Sequence, residues 1–485
     1  MARNDILKVA AGPILGLMAF LLFPESGPIA RVAGVGVWMA VWWITEAVSL
    51  YFTALLPLML FPLLGIAPMT AVGPEYTREV IFLFIGGFLI AFGLERWGLH
   101  RRIALRLILL TGATSGGILA GIMLAAFCLS MWISNTATVT TLLPAVLAVV
   151  RQLEERHPSG RSALSTPYLL GLAYAASIGG MATIVGTPPN LILMSFYNER
   201  FPGDPITFAN WLAFGFPLSA VLLVCCWLIL RWIFRDAFRR EQIDVEGCRR
   251  EYRLLGPLSY EERWLSSVFA ITVVLWFFMK DLAIGSVTIP GWTTFAWFSG
   301  HSDHIRESTI AMLMAGILYV IPARRESGGL IRWAEVQRLP VGIIFLFGGG
   351  FALASAFESS GLSQWIAGGL SIVGTLPPVL VVLTLCFFTT FLTEIMSNSA
   401  SVILLLPVLA SFVHSIGIEP LLIFVPVVIS ATCAFMLPVA TPPNTIVFAT
   451  ERISIRNMVR TGIWLNLTFA VLITLATFTV VRWTL

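Results

Sequence analysis

The chain has 485 residues, 58% of them hydrophobic and 12% charged, with a mean hydropathy of +0.89. Soluble globular domains carry roughly 25% charged residues, so the composition excludes one and specifies a chain that crosses a membrane many times. The net charge of +4 implies no nucleic-acid partner, because the only lysines are Lys8 and Lys280 and the arginines sit mainly between apolar runs.

In chain order, apolar runs predict spans at 10–23, 33–48, 51–66, 79–98, 166–195, 208–234, 263–280, 307–322, 342–360, 420–450 and 461–483. The run at 9–23 lacks a small-residue cleavage site and reads as a span, not a leader. Two further stretches, 116–150 and 376–412, are each long enough for two short helices with a Ser-Asn cluster between them. Both read as helical hairpins that enter and return on one side, a backbone tolerated only where protein or a watery cavity covers it. With the N-terminus in the cytoplasm and both hairpins returning, 24 of the 30 Lys and Arg residues fall on the inside, as the positive-inside rule requires. The C-terminus then lies outside. Cys128, Cys225, Cys226, Cys248, Cys386 and Cys433 have neither disulfide nor zinc spacing and read as small buried residues.

An internal repeat runs through this pattern. Residues 82–99 and 345–362 share ten of 18 positions at an offset of 263, and the same offset carries Ser134–Pro144 onto Ser397–Pro407 with seven of 11 identical. Five spans separate the repeat starts. An odd number reverses direction, so the halves, 33–235 and 263–485, are expected to have inverted topology, with 236–262 as a cytoplasmic linker. Nine extra residues of the first half are expected near 154–165.

Each half carries the same two polar strings in apolar surroundings: Ser134-Asn135-Thr136 with Thr187-Pro188-Pro189-Asn190, and Ser397-Asn398-Ser399 with Thr441-Pro442-Pro443-Asn444. Gly186 followed by Thr and Pro, and Ala440 followed by the same residues, say "stop a helix, start a helix" inside 166–195 and 420–450. Helix N-termini favour an anion, and C-terminal carbonyls favour a hard cation. No basic residue occurs in 107–150, 166–199, 361–413 or 421–451. A dianion held there therefore needs mobile cations for neutralisation, which couples anion binding to cation binding.

These features resemble the divalent anion/sodium symporter family of dicarboxylate, citrate and sulfate carriers, over essentially the whole chain. The resemblance implies an all-α polytopic membrane protein: about eleven transmembrane helices, two re-entrant hairpins, two inverted repeats with discontinuous helices at the midplane, and an elevator-type motion. It implies a homodimer in a bacterial cell membrane, surrounded by lipid. It also implies site roles. One sodium site would use Ser130, Ser134, Asn135 and Gly186; its mate would use Thr393, Met396 (carbonyl), Asn398 and Ala440 (carbonyl). Substrate would meet Asn135, Thr136, Asn398 and Ser399, with Thr187, Pro188, Thr441 and Pro442 lining the pocket. Carboxylate carriers usually have Thr where this chain has Ser399. The expected function is sodium-coupled symport of a small divalent anion, with a C4-dicarboxylate such as succinate, fumarate or malate ahead of two alternatives, a sodium-independent exchanger and a sulfate symporter. An enzyme is not expected: an intramembrane hydrolase needs a nucleophile with a His or Lys base, or a metal constellation, and the tip serines have no such base nearby.

Other residues complete the expectations. Glu46 and Glu394 read as intramembrane carboxylates hydrogen-bonded to backbone or hydroxyls, bracing the hairpin. Glu95 and Glu358 are repeat mates that anchor the helices following them. Arg101, Arg102 and Arg106 read as facing lipid headgroups, His301 and His304 as surface residues, Trp97 and Trp483 as interfacial, and the glycines at 86–87 and 348–350 as close helix packing.

Overall fold

The computed structural model describes residues 3–25, 27–112, 114–155, 163–238, 246–284, 287–369 and 376–481. Part of the expected insertion (156–162), part of the linker (239–245), Arg482 and Trp483 lie outside them. Among the described residues, six helices are long and apolar enough to cross a membrane by length and composition, and six more apolar helices have 10–17 residues.

Helix α1 (Arg3–Leu22) packs on α2 (Pro28–Thr45). The latter starts five residues ahead of the expected span because Pro28 suits a first helical position, where no N–H is missed. The expected span 51–66 is interrupted. A single turn, Leu50–Thr53, gives way to α3 (Leu56–Leu63), where Pro57 removes the N–H that a continuous helix would need.

A series of seven helices follows: α4 (Glu79–Arg96), α5 (Leu99–Leu110), α6 (Ser115–Ser130), α7 (Asn135–Glu155), α8 (Ser165–Met181), α9 (Pro188–Arg200) and α10 (Phe208–Ile233). After α11 (Glu246–Leu254), α12 (Tyr260–Phe277) and α13 (Glu307–Val320) the series recurs as α14 (Val341–Ser360), α15 (Leu362–Gly369), α16 (Pro378–Leu392), α17 (Asn398–Ile416), α18 (Leu421–Ala431), α19 (Pro442–Phe448) and α20 (Ile455–Ala476). The expected long elements 116–150, 166–195, 376–412 and 420–450 each resolve into two helices. The described residues also contain one antiparallel strand pair, Leu282–Ile284 with Val287–Ile289, and an isolated bridge between Pro322 and Gly329, which the all-α reading did not foresee. The β-branched residues of the strand pair favour that pairing.

The mates α4 and α14 touch and run in opposite directions. Arg78, just before α4, lies 4.6 Å from the Phe351 ring; Phe84 packs on Phe347 at 5.7 Å; Glu95 pairs with Arg338 at 3.5 Å. Small residues permit the close approaches, as the glycine strings suggested: a Cβ on Gly349 would sit 2.1 Å from Ala54 O, and one on Gly86 2.6 Å from the Ala311 carbonyl carbon. Outward faces are apolar. On α10, Val221, Val224 and Leu228 are exposed while Leu218, Leu222, Cys226 and Leu230 are buried. A helix apolar on both stripes suits hydrocarbon on one side and protein on the other.

Candidate functional site

The turn between α6 and α7 and the turn between α16 and α17 carry the two Ser-Asn strings. Ser134 caps α7, its Oγ accepting from Ala137 N at 3.2 Å; Ser397 makes no such side-chain cap. The breaks are longer than the strings that announced them. Helix α8 stops at Met181, five residues before Gly186, and α18 stops at Ala431. The cause on the α8 side is packing. A Cβ on Gly179 would lie 2.3 Å from Phe127 O, so the Gly179-Gly180 pair presses its backbone on α6 and leaves the helix weak there. Thr187 and Thr441 are extended (φ −147° and −142°), and each precedes two prolines. Thr441 Oγ1 accepts from Asn444 N at 3.4 Å, whereas Thr187 makes no side-chain cap, contrary to expectation.

One cavity of about 930 Å³ reaches both turns and both breaks. It brings together every expected substrate residue: Asn135, Thr136, Thr187, Pro188, Asn398, Ser399, Thr441 and Pro442. Ser134, Gly186, Met396 and Ala440 line it as well. Ser130 and Thr393 are fully buried behind it. The prolines change the anion argument. Pro188-Pro189 and Pro442-Pro443 remove the first two N–H groups of α9 and α19, so the starts of these two helices offer fewer donors than the Ser-Asn turns do.

The two halves repeat their hydrogen bonds. Ser130 Oγ donates to Asn135 Oδ1 at 2.5 Å. Thr393 Oγ1 lies 2.8 Å from Asn398 Oδ1 and 2.7 Å from Ala431 O, donating to one at a time. Each asparagine amide oxygen thus sits beside a buried hydroxyl five residues earlier, an oxygen pair of the kind a hard cation takes. Sequence reasoning gave no role to the asparagines that end the Thr-Pro-Pro-Asn strings, yet both are fully buried. Asn190 Nδ2 donates to Gly180 O (3.1 Å) and Thr183 O (2.8 Å); Asn444 Nδ2 donates to Ala434 O (3.0 Å) and Leu437 O (3.1 Å). The signal was present in the sequence, as an Asn at the same step of both strings.

Glu394, at the turn of the second hairpin, is bonded to backbone as expected, and the backbone it holds is that of the second break. Its carboxylate accepts from the N–H groups of Phe435 (2.7 Å), Met436 (2.8 Å) and Leu437 (3.0 Å) and from Asn466 Nδ2 (2.7 Å). At the matching place in the first half, the Met131 carbonyl accepts from Thr183 Oγ1 at 2.5 Å. Glu46 differs from expectation. It is exposed, follows α2 in the left-handed region (φ 46°), lines the cavity and makes no hydrogen bond among the described residues. Lys8, on α1, also lines the cavity. Trp42 Nε1 donates to Val9 O at 2.9 Å, which sets the first turns of α1 beside the last turn of α2 and so brings Lys8 to the Glu46 end. No local pattern announces this contact. Arg102 does not face headgroups: it pairs with Glu262 at 2.7 Å and donates to Leu255 O and Gly256 O, while Arg101 pairs with Glu251. Glu358 pairs with Arg200 of α9 and not with the helix that follows it.

Residues 14–485 match the family described as the sodium:sulfate symporter transmembrane region. A sodium-dependent dicarboxylate transporter, SdcS, of Staphylococcus saprophyticus is 38% identical over 489 residues, covering 98% of this chain and 91% of the relative. The transporter of the same name in Staphylococcus aureus is 36% identical over 491 residues with the same coverage. Among solved structures, the crystal structure of the YdaH transporter of Alcanivorax borkumensis superposes with a TM-score of 0.55, covering 98% of this chain and 97% of that one. At 14% identity it speaks for the fold alone.

Proposed function

The chain belongs to the sodium:sulfate symporter transmembrane family, and on that premise we propose that it is a sodium-coupled carrier of C4-dicarboxylates such as succinate, fumarate and malate. The observation that carries this reading is the single cavity on which both Ser-Asn turns and both breaks converge without a basic side chain at either turn. The sodium-dependent dicarboxylate transporters at 36–38% identity support the substrate class.

In this reading, the free N–H groups and amide nitrogens of the two turns hold the substrate carboxylates, one at Asn135 and Thr136, the other at Asn398 and Ser399. Sodium ions sit behind them. One takes Ser130, Ser134, Asn135 and the Gly186 carbonyl; the other takes Thr393, Asn398 and the Met396 and Ala440 carbonyls. The Ser130 and Thr393 hydroxyls turn their protons away, so that both oxygens of each pair become ligands. Each Asn then touches ion and substrate together, and binding of one favours the other.

The antiparallel mates α4 and α14 support an inverted repeat, and the helix pairs α6–α7 and α16–α17 support two re-entrant hairpins entering from opposite sides. We place the N-terminus in the cytoplasm of a bacterial cell, on the distribution of Lys and Arg. The assembly is a homodimer whose transport unit moves as an elevator.

Purified protein in liposomes is expected to accumulate labelled succinate under an inward sodium gradient. Uptake unchanged when choline replaces sodium would sink the symport reading and favour the exchanger. Stronger competition by sulfate than by fumarate would move the substrate to sulfate.

A further inference from the structure

We infer that Asn190 and Asn444 are positioning residues for the two sodium sites, each fixing the backbone of one helix break so that the carbonyl ligand of that site is presented; the inference rests on the sodium-coupled reading above.

A helix that stops inside a protein leaves its last carbonyls without N–H partners, and a buried carbonyl without a partner is costly. At both breaks one asparagine amide, reaching back from the first turn of the next helix, donates to two carbonyls at or beyond the helix end; Gly180 O and Ala434 O take it as their donor, while Thr183 O and Leu437 O also accept from Gly186 N and Ala440 N at 3.3 Å. The amide ties carbonyls ten and seven residues upstream: Gly180 and Thr183 in one half, Ala434 and Leu437 in the other. In both asparagines Oδ1 has no hydrogen-bond partner in the described structure, so the donor end holds the amide in place.

The tie acts on a crowded spot. A Cβ on Gly180 would lie 2.7 Å from Asn135 Oδ1 and 3.2 Å from Gly186 O, and one on Gly186 would lie 2.6 Å from Gly180 O. The tied carbonyl of Gly180, the carbonyl of Gly186 and the amide of Asn135 are therefore packed against one another, and displacement of the first moves the other two. Loss of the tie would let Gly180 O and Thr183 O swing toward the cation position and compete with the intended ligands. Neither asparagine is among the residues lining the cavity, so neither touches the substrate. Asp is nearly isosteric but turns the donor into a charged acceptor facing two carbonyls; Ser keeps a single shorter donor.

The test uses the full chain in proteoliposomes, with labelled succinate uptake measured against sodium concentration for Asn190→Asp, Asn190→Ser, Asn444→Asp and Asn444→Ser. In each variant that elutes as the unsubstituted protein does, the half-saturating sodium concentration should rise by roughly tenfold, as for loss of an outer-shell partner. The KM for succinate at saturating sodium should stay within about twofold. The Ser variants, with one donor retained, should show the smaller shift, and they carry the measurement if the Asp variants fail to fold. A lowered maximal rate with an unchanged sodium curve would mean a structural brace only, and would overturn the inference. Sodium-independent uptake by the unsubstituted chain would overturn the coupled reading itself, and is seen without any variant.

Discussion

At the residue scale, Asn135 and Asn398 carry the proposed coupling because an amide has an acceptor end and a donor end. The acceptor end lies beside Ser130 or Thr393, and the donor end remains for a carboxylate. Asn135→Ala and Asn398→Ala should each raise both the half-saturating sodium concentration and the succinate KM by roughly tenfold or more, as loss of a hydrogen bond to a charged group implies. Normal transport by either variant would show that the shared-ligand idea is wrong. Glu394 has a different part. Four N–H donors converge on its carboxylate. Glu394→Gln keeps the shape but brings an NH₂ group against backbone donors. That variant should lose about 2 kcal/mol of stability or more, read as a lower thermal unfolding temperature in detergent, while Met131→Leu, which keeps the backbone carbonyl that Thr183 uses, should not. Thr136 and Ser399, the one mismatch between the strings, also differ in setting: Thr136 is exposed and Ser399 is 7% exposed. The missing methyl therefore falls at a buried position that also lines the cavity.

At the element scale, the sequence showed where helices break but not how wide the breaks are. Gly186 and the Thr-Pro-Pro strings marked the restart of α9 and α19 correctly, because proline fixes a helix start by local chemistry. The stop of α8 at Met181 depends on contact between Gly179 and α6, which local chemistry does not contain. The glycine strings were legible as close packing, though their partners were not. Gly349 faces Ala54 O, a backbone atom that cannot yield as a side chain can. Gly349→Leu should therefore force α14 away from the turn at Leu50–Thr53, costing about 1–3 kcal/mol or more. A sharp fall in monodisperse protein, with Gly87→Ala unaffected because nothing lies near its Cβ position, is the outcome to look for in size-exclusion profiles.

At the scale of the whole molecule, the cavity has a direction. Its lining includes Lys8, Glu46, Tyr51 and Ile343, at the end of α14 near Arg338. The opposite end of α14 carries ion pairs joining three elements: Arg78 with Glu75 and Glu199, and Arg200 with Glu358. None of these residues lines the cavity. On the orientation proposed above, the cavity would open inward, and the pairs would tie α9 to α4 and α14 on the outer side. Ion pairs of this exposure are each worth roughly 1 kcal/mol or less, enough to bias a conformational equilibrium a few-fold. Arg200→Glu, which repels both Glu199 and Glu358, should populate the outward-open form. In a chain with the native cysteines replaced, a cysteine at Thr136 should then react faster with an impermeant thiol reagent added outside. An unchanged rate would mean that the outer pairs do not hold the closed side.

The sequence by itself determined the membrane class, the two-fold repeat, the four polar strings and the family, since hydropathy, identity at a fixed offset and Pro/Gly chemistry are properties of the chain read locally. Only the tertiary structure decided that α4 and α14 lie antiparallel in contact, that Glu46 faces the cavity while Glu394 is wrapped in N–H groups, that Lys8 reaches the cavity, and that Asn190 and Asn444 tie carbonyls across the breaks. The physical reason is that a hydrogen-bond partner or a neighbouring helix is chosen by which surfaces meet, and a residue's own neighbours in sequence do not fix that choice.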